Sequence, residues 1–336
     1  MESLSIYVHF PFCQHRCGYC DFNTYAGIEY LIPPYVGAML KEISNFAESF
    51  ENSRDYYVHS IYLGGGTPSL VPPIEIEKII NTLRRNFEVM QDCEITMEVN
   101  PGTISKESLQ KIFDLGVNRL SIGVQSTNKD ELELLERLHG FSEVSHTVET
   151  AKKVGFQNLS MDLIYGLPDQ KTQKWMKSLD DVLNLEPEHL SLYALSVEEG
   201  TPLALSVKSG SVTEPDPDLA ADLYDLSNEV LESKGYVHYE ISNWASCDPF
   251  GQPKISRHNR QYWMNLPYIG FGAGAHGFIE GYRLQNVSSP FAYIKKMNES
   301  KDSKSPSTPV TEMGTKIEPR REMEETMIMG LRLLTE

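Results

Sequence analysis

The chain has 336 residues, 40% hydrophobic and 23% charged, an ordinary globular composition that excludes a disordered, collagenous or membrane-spanning chain. Its formal charge of −17 argues against nucleic acid or an anionic membrane surface as a partner, because both demand basic surface. Five cysteines are too few, and odd in number, for a secreted disulfide framework, so a reducing, cytoplasmic setting is expected.

Residues 5–12 (SIYVHFPF) already read as a strand, so no cleavable signal is expected before them. No apolar run approaches the roughly 20 residues that a bilayer span needs. Further runs rich in β-branched and aromatic residues lie at 57–63, 94–99, 119–125, 158–165 and 189–195. Helical spacing separates them: Ile76, Ile79, Ile80, Leu83 and Phe87 would line one face, as would Leu109, Ile112 and Phe113. Strands alternating with helices imply right-handed βαβ units and a parallel sheet. Six units are too few for a closed eight-stranded barrel and fit an open, partial α/β barrel over residues 1–235.

Beyond residue 200 the rhythm changes. A turn-rich connector (200–217) precedes a helix at 218–234. An α+β extension follows over 236–297, with a strand-like run at 236–244 and a Gly-rich run at 270–277. Residues 298–318, dominated by Ser, Pro and Lys, read as a linker. The helical pattern at 319–336 is expected to begin a further, truncated C-terminal domain.

Directly after the first strand, Cys13, Cys17 and Cys20 stand as C-x3-C-x2-C. Their polar surroundings (Gln14, His15, Arg16, Gly18) argue against three unrelated core cysteines. A tetrahedral zinc site would need a fourth ligand, which His9 or His15 could supply. Three cysteines on a four-iron cluster would instead leave one iron open to an exogenous ligand.

The run Y-V-H-F-P-F-C-Q-H-R-C-G-Y-C (7–20) resembles the signature of the radical S-adenosylmethionine (SAM) superfamily. Within it, the chain resembles the branch of oxygen-independent coproporphyrinogen III oxidases and the related HemW family of heme chaperones, over about residues 3–335. The resemblance implies a [4Fe-4S] cluster on Cys13, Cys17 and Cys20, with the amino and carboxylate groups of SAM on the fourth iron and an external reductant for the cluster. It places Tyr7 and Tyr19 against SAM or the cluster.

Gly64-Gly65-Gly66-Thr67-Pro68 follows the second strand. A Gly-rich turn alone is most often just a turn, yet it lies where (β/α) folds place their sites. The family resemblance makes Gly65, Gly66 and Thr67 SAM contacts. Glu98, Gln125 and Asp162 close the next three strands. Each could be an innocent helix cap, but together their acceptors suit ribose hydroxyls and an ammonium group. Arg137 reads most simply as a solvated helix charge. Its family counterpart contacts SAM, as a guanidinium facing a carboxylate would. Ser196 is a further SAM contact by resemblance.

Two features bear on the branch. The oxidases carry another cysteine two residues after the third, where this chain has Phe22. His258-Asn259-Arg260-Gln261-Tyr262-Trp263 matches the H-N-x-x-Y-W pattern of the chaperones. His258, flanked by Tyr262 and Trp263, is therefore a candidate heme site, against the plainer reading of a surface loop with an aromatic cluster. His276, in G-F-G-A-G-A-H-G, is a second axial-ligand candidate, though a packed Gly-rich turn explains it equally. The expected function is heme delivery to an acceptor protein. The alternatives are coproporphyrinogen III oxidation and a zinc-stabilised binding module.

Overall fold

The computed structural model describes residues 1–300 and 304–334. Strand β1 (Glu2–Phe10) leads into the cysteine loop, whose ends are closed by the short parallel pair β2 (Phe12–Cys13) and β3 (Tyr25–Ala26). Then follow α1 (Ile32–Ser49), β4 (Tyr56–Gly65), α2 (Pro73–Asn86), β5 (Val89–Val99), α3 (Lys106–Asp114) and β6 (Arg119–Gln125). The alternation continues through α4 (Lys129–Leu134), α5 (Phe141–Val154), β7 (Leu159–Tyr165), α6 (Thr172–Leu183) and β8 (His189–Ala194). Strands β1, β4, β5, β6, β7 and β8 lie side by side in that order, all parallel. This is the central sheet expected from the six apolar runs.

Its two faces differ sharply. Ile6, Val8, Ile61, Leu63, Ile95, Met97, Leu120, Ile122, Leu190 and Leu192 are all at most 2% exposed. They belong to the same core as Ile76, Ile79, Ile80 and Leu83 of α2 and Leu109 and Ile112 of α3. Because successive side chains point to opposite faces, the residues between them share the other face. That face carries Ser5, Tyr7, Ser60, Tyr62, Thr96, Glu98, Arg119, Ser121, Ser160, Asp162 and Ser191.

After β8 come α7 (Pro202–Lys208), α8 (Pro217–Ser233), β9 (Val237–Glu240), β10 (Asn243–Ala245) and α9 (Arg257–Trp263). The last elements are β11 (Tyr268–Phe271), β12 (His276–Ile279), β13 (Tyr282–Asn286), α10 (Pro290–Glu299), β14 (Thr311–Lys316) and α11 (Pro319–Gly330). The structure corrects several expectations here. The connector at 200–217 contains α7, capped by the Thr201 hydroxyl accepting from Ala204 N–H at 3.2 Å. The run 236–244 is two short antiparallel strands rather than one. The strands of residues 236–297 add to both edges of the central sheet. β10 and β9 extend it beyond β8, while β11 pairs parallel with β1 and β12, β13 and β14 follow, giving one twelve-stranded sheet.

The polar stretch 298–318 is likewise not a linker where it is described; residues 301–303 lie outside the described residues. β14 pairs with β13 as an edge strand, anchored by the buried Val310 and Ile317. Edge strands expose most side chains, which is why a polar composition is compatible with pairing there. The expected helix at 319–336 is α11, which ends at Gly330; Thr335 and Glu336 lie outside the described residues. The segment after it returns to the sheet, where Arg332 pairs at 3.0 Å with Glu240, a fully buried carboxylate.

One buried acid fastens the β11–β13 extension to the rest. Glu42 of α1 accepts hydrogen bonds from Gly272 N–H (2.9 Å), Asn286 Nδ2 (2.7 Å) and Tyr293 Oη (2.5 Å). Gly272 has φ +105°, and a Cβ there would lie 2.7 Å from both His9 O and Tyr35 Oη, so only glycine fits. Burial raises the Glu42 carboxyl to about 7 against the pull of these donors. An unfolded glutamate titrates near about 4.3, so between about 4.3 and 7 the native state holds a proton that the unfolded chain releases. That stabilisation is full below the unfolded pKa and is lost as pH rises through about 7. Denaturant unfolding should therefore find Glu42→Gln less stable by roughly 1–3 kcal/mol at pH 5, because Gln cannot accept from every donor. The gap to the wild type should narrow toward pH 8. A gap independent of pH would show that Glu42 does not titrate in this range.

Candidate functional site

The C-terminal ends of the parallel strands surround a cavity of about 390 Å³. Cys13, Cys17 and Cys20 all line it, and all are free thiols. Their loop is held by backbone bonds at several points: Gly66 N–H to Phe10 O (2.7 Å), Thr67 N–H to Phe12 O (2.8 Å) and Cys20 N–H to Cys17 O (3.1 Å). Leu203 N–H, in the first turn of α7, donates to Gly18 O at 2.9 Å. Side-chain donors reach the sulfurs: Thr67 Oγ1 lies 3.6 Å from Cys13 Sγ, and Arg137 Nη1 lies 3.7 Å from Cys17 Sγ. Burial raises the Cys13 thiol, partly offset by the Thr67 hydroxyl.

The glycines of the Gly-rich turn are there for space. A Cβ on Gly66 would sit 2.6 Å from Phe12 O and 2.9 Å from Cys13 Sγ, and Gly65 has φ +117° with the His9 ring 2.6 Å from where its Cβ would lie. Gly65 N–H donates to Glu98 Oε2 at 2.9 Å, and Tyr62 Oη donates to Glu98 Oε1, also at 2.9 Å. Burial, opposed by these two donors and reinforced by the charge of Asp162, pushes the Glu98 carboxyl up to about 7. Asp162 is raised as well, chiefly by burial, while Ser121 and the Arg119 charge pull it down. Two buried acids on one wall can thus accept from hydroxyls or neutralise an ammonium group.

The structure brings Tyr19, Gly65, Gly66, Thr67, Glu98, Gln125, Arg137, Asp162 and Ser196 to this same cavity. At Gln125 a register shift against β7 and a φ of +65° mark a bulge at the strand's end. Arg137 does not lie on a helix, as its simplest reading had it. It follows Glu136, with φ +54°, and donates to Asn100 Oδ1 (2.7 Å) and Gly123 O (2.9 Å) as well as to the sulfur. Tyr7 is the exception among the expected SAM contacts. It does not line the cavity; its hydroxyl meets His9 Nδ1 at 2.9 Å and its ring stacks on Tyr62. His9 is engaged at both nitrogens, the second facing Asn23 O at 2.9 Å, and His15 Nε2 faces Glu136 at 3.2 Å. A fourth zinc ligand would have to be taken from these contacts.

The H-N-x-x-Y-W segment forms α9, and its histidine is packed inside. His258 is 1% exposed. Its Nδ1 meets Ser60 Oγ at 3.0 Å and its Nε2 meets Tyr262 Oη at 2.9 Å, so neither nitrogen is open to an iron. Burial first, then the charges of His59 and Arg119, lower it to about 3, so the ring is neutral. Trp263 lies under the Arg332 guanidinium, 4.3 Å from the ring centroid. The start of α9 is anchored by Glu94, which accepts from Arg257 N–H and His258 N–H at 3.1 Å each. Asn259, the second residue of the segment, is the one that lines the cavity. His276, by contrast, is exposed at the start of β12. Its loop is tied to the cysteine loop by Asn23 Nδ2, which donates to Ala273 O at 3.0 Å.

Tyr62, Asn100, Arg119, Ser121, Ser191, Tyr193 and Asn259 also line the cavity and were missed from the sequence. For those on strands a signal existed: polar residues at every second position of runs that otherwise read as buried.

The family model of the radical SAM superfamily matches residues 7–182. The heme chaperone HemW of Bacillus subtilis is 35% identical, the alignment covering 98% of this chain and 83% of the relative. The HemW of Lactococcus lactis is 34% identical over 98% and 81% of the two chains. Among solved structures, the coproporphyrinogen III oxidase HemN of Escherichia coli, described as a radical SAM enzyme, superposes with a TM-score of 0.84 at 25% identity, covering 99% of this chain and 76% of that one. A single cavity ringed by the cysteine triplet and the strand-end residues agrees with these likenesses, and the chain belongs to the radical SAM superfamily and, within it, to the HemW family of heme chaperones.

Proposed function

We propose that this chain holds a [4Fe-4S] cluster on Cys13, Cys17 and Cys20, binds SAM in the adjoining cavity, and carries heme to an acceptor protein, with a separate reductant serving the cluster. The observation that carries the cofactor assignment is the convergence of three free thiols and nine strand or loop residues on one cavity, Asp162 among them from the middle of β7 rather than its end. The donor chemistry suits the group: three thiols on one loop line the cavity, and glycine at position 66 keeps a Cβ from crowding Cys13 Sγ. When bound, the cluster and SAM together supply one-electron reductive cleavage of a sulfonium.

The protein's own side chains set the conditions. The Arg137 guanidinium donates toward Cys17 Sγ and the Thr67 hydroxyl toward Cys13 Sγ, so hydrogen-bond donors stand beside two of the three sulfurs. Glu98 and Asp162 are poised to take ribose hydroxyls or an ammonium group. For the heme, the exposed imidazole of His276 is the axial ligand we favour over His258, since it needs no core contact broken. Phe22, where the oxidases carry a cysteine, is 65% exposed at the cavity mouth and supports the chaperone reading over oxidation of a porphyrinogen.

Two outcomes test this. In anaerobically reconstituted protein, Cys17→Ser should abolish the brown chromophore and the bound iron, because serine is a poor iron ligand. Cys93→Ser and Cys247→Ser should keep the full iron content. About four irons retained in Cys17→Ser would overturn the cluster assignment. In hemin titrations followed at the Soret band, His276→Ala should weaken binding and alter the spectrum, whereas His258→Ala should lower the unfolding temperature and leave the heme spectrum unchanged. The reverse pattern would return the iron to His258. Sustained turnover of coproporphyrinogen III would overturn the chaperone reading.

A further inference from the structure

Arg119 opens β6 on the polar face of the sheet and is 2% exposed. It lines the cavity, yet its guanidinium makes no hydrogen bond or ion pair among the described residues, and its Nε is sealed from solvent without a partner. Its register neighbour on β5, Thr96, is fully buried and also has an unpartnered hydroxyl. The carboxylate nearest in effect, Asp162, feels the Arg119 charge but makes no ion pair with it among the described residues; its oxygens accept from Ser121, at 2.9 and 3.2 Å, and from Ser160 at 3.4 Å. The other groups that feel the Arg119 charge are Tyr62, His189, Tyr239 and His258, none of them an anion at neutral pH.

Burying a guanidinium costs several kcal/mol unless an anion compensates it. A fold that keeps such a cation in contact with no anion of its own leaves that place to an anion from outside. Asn259, from the H-N-x-x-Y-W segment, lines the same cavity, and its carboxamide makes no hydrogen bond among the described residues. A guanidinium fork and an amide N–H that line one cavity are a donor set suited to a carboxylate. The place is deep. From Arg119 to Gln125, at the rim, the strand rises roughly 20 Å.

We propose, building on the reading that the cavity admits a ligand, that Arg119 and Asn259 form a carboxylate subsite at its inner end. A carboxylate can be brought there by a tetrapyrrole, on a propionate arm, or by SAM. The depth favours a molecule other than one seated at the cysteine loop.

The test uses cluster-loaded wild type, Arg119→Met and Asn259→Ala. Thermal unfolding is measured without ligand, hemin and hemin dimethyl ester are titrated by absorbance, and SAM is measured by equilibrium dialysis. Arg119→Met should unfold no earlier than the wild type, because the guanidinium has no protein partner to lose. It should bind hemin at least about tenfold more weakly, to the level of the dimethyl ester, which both proteins should bind alike. Asn259→Ala should shift hemin affinity in the same direction by less. A fall in SAM affinity with hemin binding unchanged keeps the subsite and assigns the carboxylate to SAM. Wild type that binds no hemin refutes the heme reading, while the SAM arm still decides the subsite. Earlier unfolding of Arg119→Met with hemin and SAM bound as in the wild type makes Arg119 a structural partner of Asp162 and overturns the proposal.

Discussion

A parallel sheet with helices on both faces normally buries both, and its strands then read as continuous apolar runs. Here the six parallel strands alternate, and that alternation governs the rest of the molecule. Leu120, Ile122 and Val124 of β6 belong to the helix-covered core, while Arg119, Ser121, Gly123 and Gln125 line the cavity. Apolar burial on one side supplies the driving force for the fold, at about 25 cal/mol per Å² removed from water. The other side is free to hold polar groups that would be costly in a core of their own, provided that each finds a partner. Most do, as Ser121, Ser160 and Asp162 find one another. The cavity is thus the inner face of the sheet itself, roofed by the cysteine loop.

The same constraint explains how much of this was legible beforehand. The β-branched runs located all six parallel strands, and the 3.6-residue spacing located α2 and α3, because apolar burial on the outer face obeys both periods. The cysteine triplet, the glycine turn and the strand-end acids were legible because their spacing reflects chemistry rather than packing. Boundaries were less so: β5 begins at Val89, where Gln91 and Asp92 give no hydrophobic signal. The edges were the main loss. β9 and β10 are short and β14 is mostly exposed, and the long-range pairings of β10 with β8 and of β11 with β1 leave no local trace.

His258 shows a different limit. A histidine beside Tyr and Trp has the composition of a heme pocket, but composition does not say which way a helix faces. Glu94 fixes the start of α9 through two backbone amides, and that orientation turns His258 into the core and Asn259 toward the cavity. One residue's displacement along a helix, about 100° of rotation, separates a packing role from a binding one.

The cysteine loop lies within the first 26 residues, yet its supports come from much later in the chain. Gly18 O is bonded by Leu203, and Asn23 bonds Ala273 O and Ser288 O. While the chain is being synthesised, residues 13–20 therefore emerge long before the groups that shape their loop. A nascent N-terminal fragment presents three loose thiols and no cradle. A ligand that depends on the finished loop therefore meets a folded sheet rather than an emerging peptide.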